Sequence, residues 1–111
     1  MIRVHYAEDE GSHELSVDGH AGYAEHGRDI VCAACSGITF ALLAYLEENQ
    51  EHLTDVSGQI VEPGRFYIAC KGTEKIATAF HMALLGLRKI SSQYPDHVSI
   101  TYSGTAGDSR E

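Results

Sequence analysis

Ile2, Val4 and Tyr6 alternate with Arg3 and His5, the period-two pattern of a strand with one buried face. Glu10 and Gly11 supply a turn, and Leu15 and Val17 face inward on a second strand, so the chain opens with a hairpin. Over residues 29–48 the period changes. Val31, Ala34, Ile38, Ala41, Leu42 and Tyr45 form a helical stripe that ends at Glu47 and Glu48. Residues 56–61 and 65–70 flank Pro63-Gly64, a turn dipeptide, and predict a second hairpin. Thr73 is placed to cap a second helix, in which Ile76, Phe80, Ala83, Leu84, Leu87 and Ile90 keep helical spacing until the chain leaves helix before Pro95. Val98, Ile100 and Tyr102 alternate as a last strand. The order strand, strand, helix, strand, strand, helix, strand predicts one α/β domain over residues 1–102, with two helices packed on a mixed sheet of about five strands. Residues 103–111 are small and polar and are expected to form a disordered tail.

Composition narrows the function classes. A chain of 111 residues with 43% hydrophobic content supports one core. Its 8 basic and 16 acidic residues give a formal charge of -8, which disfavours nucleic acid as a direct ligand and suits a basic partner. Cys32, Cys35 and Cys70 make no even-numbered framework, and no signal peptide is read before them, so a cytoplasmic location is expected. No apolar run is read as reaching the roughly 20 residues of a bilayer span, and no membrane association is expected.

The chemistry concentrates between Gly19 and Ser36. His20 follows the second strand, residues 21–28 form a glycine-bearing loop, and Asp29 is a favoured N-cap, which places Cys32 in the first helical turn. The helix dipole there contributes about 0.3–1 kcal/mol, too little by itself to ionise a thiol at neutral pH. A cationic neighbour is required, and His20 is the candidate. Amides of the helix start are expected to hold the oxyanion formed when the thiolate attacks a carbonyl.

Gly19-His20-Ala21, the loop, then Asp29-Ile30-Val31-Cys32-Ala33-Ala34 and Ser36 resemble the signature of the ribosomal-processing cysteine protease family, small bacterial proteins once grouped as a domain of unknown function. The resemblance implies a homodimeric α/β protease without a cofactor, whose substrate is the precursor of a large-subunit ribosomal protein from which it removes an N-terminal extension. It also implies that His20 and Cys32 are the catalytic dyad, that Asp29 and Ser36 are supporting motif positions, and that an apolar groove near Cys32 receives an aromatic-rich segment.

Cys35 departs from the family pattern and creates Cys32-Ala33-Ala34-Cys35, the spacing of a dithiol redox motif. A thiol–disulfide protein is therefore an alternative, and a Cys32–Cys35 disulfide is a candidate redox control of the protease. A zinc site of His20, His26, Cys32 and Cys35 has an uncommon spacing, so no metal is expected. A third alternative is a non-catalytic ribosome-assembly protein that binds a basic partner through the acidic surface. Cys70 reads as a buried small residue, and His5, His13, His52, His81 and His97 fall in no motif.

Overall fold

Strand β1 (Ile2–Asp9) and strand β2 (Ser12–Asp18) pair antiparallel through a turn at Glu10 and Gly11, both of which have positive φ. That is the conformation whose twist matches a two-residue hairpin. The computed structural model describes residues 1–25 and 28–104. Helix α1 (Ile30–Glu48) leads through a short 3-10 turn at Gln50–His52 into β3 (Leu53–Glu62), which returns as β4 (Arg65–Gly72). Helix α2 (Glu74–Gln93) then crosses to β5 (Val98–Gly104).

The sheet has the order β3-β4-β2-β1-β5, with β5 parallel to β1 and the other neighbours antiparallel. Ile2, Val4, Tyr6, Leu15, Val17, Phe66, Ile68 and Val98 face one buried cluster with Ile76, Phe80, Leu84 and Leu87 of α2 and Val31, Leu42 and Leu46 of α1. The other face carries polar contacts such as His5 to Thr101 and Ser103, and Tyr67 to Glu14. The expected α/β fold with a five-stranded mixed sheet and two helices is what the chain forms.

Four expectations need correction. The buried line of α1 is Val31, Cys35, Thr39, Leu42 and Leu46, whereas Ala34 and Ala41 are exposed. Alanines scattered around this helix widened the apparent stripe. Thr73 stands at the N-cap of α2, but its side chain makes no capping bond; the hydroxyl lies 3.3 Å from His52 Nδ1 instead. Strand β5 takes in Ser103 and Gly104, the first two residues of the expected tail, while 105–111 lie outside the described residues. Finally, α1 is long and apolar enough, by length and composition, to cross a membrane. In this fold one face of it, with Val31, Cys35, Leu42 and Leu46, packs into the core cluster.

The second helix separates inward from outward positions sharply. Leu87 is 0% exposed and Leu85 58%. Leu87→Ala is expected to cost about 2–5 kcal/mol in urea unfolding, and Leu85→Ala to stay within about 0.5 kcal/mol. Equal losses for the two would contradict this helix phase.

Candidate active site

The end of β2 is held from two sides. Gly19 has φ +98, and a Cβ there would stand 2.4 Å from the Met1 carbonyl oxygen, so only glycine suits this close approach. The Gly19 N–H donates to the Gly64 carbonyl at 2.8 Å. The Met1 amino group donates to the His20 carbonyl at 2.6 Å. The His20 imidazole lies against the β3–β4 turn, because a Cβ on Gly64 would come within 2.7 Å of His20 Nε2.

Asp29 organises the other half. Its Oδ1 accepts the amides of Val31 and Cys32, each at 3.0 Å, which caps α1. Its Oδ2 accepts the amides of Tyr23 and Ala24 at 2.9 and 3.3 Å, which ties the preceding loop to the helix start. Burial alone would push this carboxyl up. The backbone donors from Cys32, Ala24, Tyr23 and Val31 outweigh burial and hold it below the ordinary carboxylate range.

Cys32 is half-buried in the first turn of α1, and its Sγ receives the Ala21 amide at 3.1 Å. The Ala21 carbonyl is bound in turn by His97 Nδ1 at 2.8 Å. A carbonyl only accepts, so that nitrogen carries the proton. Tyr23 stands edge-on to His97 and Tyr94, with ring centroids 5.4 Å away in both cases.

The five residues singled out in the sequence, His20, Asp29, Cys32, Cys35 and Ser36, all line one cavity of about 750 Å3. Its walls also include Ile2, Val17, Phe40, Val61 and Phe66, an apolar surface beside the thiol. Ser36 lines the cavity with an exposed side chain. Cys35 is buried, and its thiol is pushed up to about 11 by burial and the nearby Cys32 and Asp29 charges. A thiol held in that state is a poor partner for rapid exchange with Cys32. His26, one ligand of the alternative zinc set, lies outside the described residues.

One expectation about the helix start changes. The amides of Val31 and Cys32 are occupied by the Asp29 carboxylate, and the Ala33 amide by the Asp29 carbonyl at 3.0 Å. The N–H that faces the sulfur comes from the loop, at Ala21. Sequence reasoning also missed Gly64 and His97, which reach the site from remote segments; Pro63-Gly64 was read only as a turn.

The family model for the cysteine protease Prp matches residues 1–99. The chain belongs to the Prp cysteine protease family. A ribosomal processing cysteine protease Prp from Mycoplasma pneumoniae is 36% identical over 93 residues, covering 78% of this chain and 84% of that protein. Its counterpart from Mycoplasma genitalium is 34% identical over 92 residues, with the same two coverages. The fold is similar to the crystal structure of the Staphylococcus aureus ribosomal processing protease Prp in complex with a covalently linked product peptide, with TM-score 0.80, 26% identity, and coverage of 93% of this chain and 100% of that one. Membership makes the chain a cysteine protease and sets aside the dithiol and non-catalytic alternatives as its main activity.

Asp29 gives a prediction with a definite sign. Because its folded pKa is depressed, its contribution to stability is complete above the unfolded value of about 3.9 and is lost as pH falls through the lower folded value. Asp29→Ala is expected to cost about 0.5–2 kcal/mol at pH 7. In urea unfolding from pH 7 to pH 3, the gap between the parent and this variant should narrow only below about pH 4. A gap that widens on acidification would refute the assignment.

Proposed function

We propose that the chain is an endopeptidase that removes the N-terminal extension of a large-subunit ribosomal protein precursor, with Cys32 as nucleophile and His20 as its base and acid. The observation that carries this reading is that His20 and Cys32 line one apolar-walled cavity, with the Ala21 N–H on the Cys32 sulfur. Relatives named as ribosomal processing proteases support the substrate class, as does the peptide covalently linked in the Staphylococcus aureus Prp structure.

In this mechanism the Cys32 proton passes to His20, and the thiolate attacks the scissile carbonyl carbon, forming a C–S bond and an oxyanion. The Ala21 amide faces the sulfur and is the loop donor positioned to stabilise charge there. Collapse breaks the C–N bond while the His20 imidazolium protonates the leaving amine. Water, giving its proton to His20, attacks the thioester; the C–S bond breaks, the new carboxyl end leaves, and the thiol is regenerated. The walls formed by Ile2, Val17, Phe40, Val61 and Phe66 suit an apolar, aromatic-rich segment before the scissile bond. The formal charge of -8 suits a basic ribosomal substrate, which steers to the site from the cytoplasm without nucleic acid or a membrane as partner.

The reading includes a homodimer. Away from the cavity the helices expose Ile30 on α1 and Met82 and Leu85 on α2, apolar surface of the kind that associating proteins cover.

Mass spectrometry of the precursor N-terminus after incubation with enzyme tests the dyad. Cys32→Ala and His20→Ala are expected to abolish cleavage while still binding precursor, and cleavage retained by either variant sinks the assignment. Gly64→Ala should displace the His20 ring and lower kcat/KM by about 100-fold, the scale of a misplacement near 1 Å. An unchanged kcat/KM would show that the turn does not hold the imidazole.

A further inference from the structure

Three metal-ligating side chains from three elements converge at the opposite end of the β1–β2 hairpin from His20. Glu8 of β1 and His13 of β2 are register partners, and His81 reaches them from α2. Their ligand atoms, Glu8 Oε1, His13 Nδ1 and His81 Nε2, lie within 4.8 Å of one another. Five register steps separate the Glu8–His13 pair from the Arg3–Asp18 pair next to Gly19, about 17 Å of strand. This cluster is distinct from the proteolytic cavity.

We propose that Glu8, His13 and His81 form a binding site for one divalent transition ion of the zinc class, which braces α2 to the β1–β2 hairpin. The donor set, two imidazoles and one carboxylate, is one that zinc takes with a fourth position left to water. Ligand atoms about 2.0–2.1 Å from a tetrahedral ion stand about 3.4 Å apart. Glu8 Oε1 and His13 Nδ1 are already 3.7 Å apart. Glu8 Oε1 and His81 Nε2, now hydrogen-bonded at 2.5 Å, must open by about 1 Å. His81 is half-buried on the helix surface, and the ion replaces two protons, the one His81 Nε2 shares with Glu8 and the one His13 Nδ1 donates to the Tyr6 oxygen.

The surroundings support a preorganised site. His13 is 1% exposed and stacks on Phe80 with ring centroids 5.0 Å apart, which fixes its plane. The Tyr6 hydroxyl donates to Glu8 Oε1 at 2.5 Å and so orients that carboxylate; it also lies 2.9 Å from His13 Nδ1, a contact that the ion would replace.

The test uses the full chain carrying Cys32→Ser, which keeps the cavity thiol out of competition. After chelator treatment, zinc chloride is titrated by calorimetry and cobalt chloride by visible absorption, with Tm measured in parallel. The expected result is one equivalent bound with micromolar or tighter Kd, a cobalt spectrum without thiolate charge transfer, and a rise in Tm on zinc addition. His81→Ala and Glu8→Gln, both at half-buried positions, should keep the far-ultraviolet spectrum of the fold, weaken binding at least about tenfold and lose the Tm rise. Millimolar binding by the parent, or unchanged Kd in His81→Ala, would overturn the site.

Discussion

The Asp29 carboxylate accepts four backbone N–H groups, two from the first turn of α1 and two from the loop that leads into it. Most N-cap side chains stabilise only the helix they begin. Here each oxygen serves a different segment, so the conformation of the loop and the start of the helix are one structural decision. Once Tyr23 and Ala24 are fixed to Asp29, the chain between them and β2 is short, and the Ala21 amide is brought onto the Cys32 sulfur. The same carboxylate that positions the thiol also consumes the amides that a helix start would otherwise offer to an oxyanion.

The histidine side is anchored by backbone rather than by charge. Gly19 and Gly64 allow two chain segments to approach more closely than any Cβ would permit; His20, though exposed, has its carbonyl bound by the Met1 amino group and its ring against the β3–β4 turn. The peptide whose N–H meets the thiol is held at its other end by Met1 through the His20 carbonyl, and His97, next to β5, binds the carbonyl of the following peptide, that of Ala21. The placement of His20 and Cys32, two residues close in sequence, thus depends on contacts from the first residue, a hairpin turn in the middle and the approach to the last strand.

Much of this was legible in the chain. Alternation at Ile2, Val4 and Tyr6 and helical spacing from Ile76 to Leu87 predicted elements that form, because each of those segments has one buried face and one solvated face. His20, Asp29, Cys32, Cys35 and Ser36 line one cavity because a single loop and one helical turn connect them. The roles of Gly64 and His97 were not legible, since they depend on which turn and which strand approach end up beside the loop. The same reason hid the Glu8, His13 and His81 cluster. The hairpin register sets the first two opposite each other, but nothing local says that α2 will lay His81 over them.

The misread stripe of α1 has a more specific cause. Residues 30–46 carry no charged side chain, so hydropathy along this helix points in no single direction. The structure divides the surface of α1 three ways. Val31, Leu42 and Leu46 serve the core; Ala33, Ser36 and Phe40 line the cavity beside Cys32; Ala34, Ala41 and Ala44 face outward. Cys35 and Thr39 are buried at the boundary between core and cavity. The cavity beside the thiol is lined by small and apolar residues where an ordinary amphipathic helix would carry charge. The cavity face of α1 therefore removes the polar reference against which the buried face is normally read, and this is why the amphipathicity of the helix is weak.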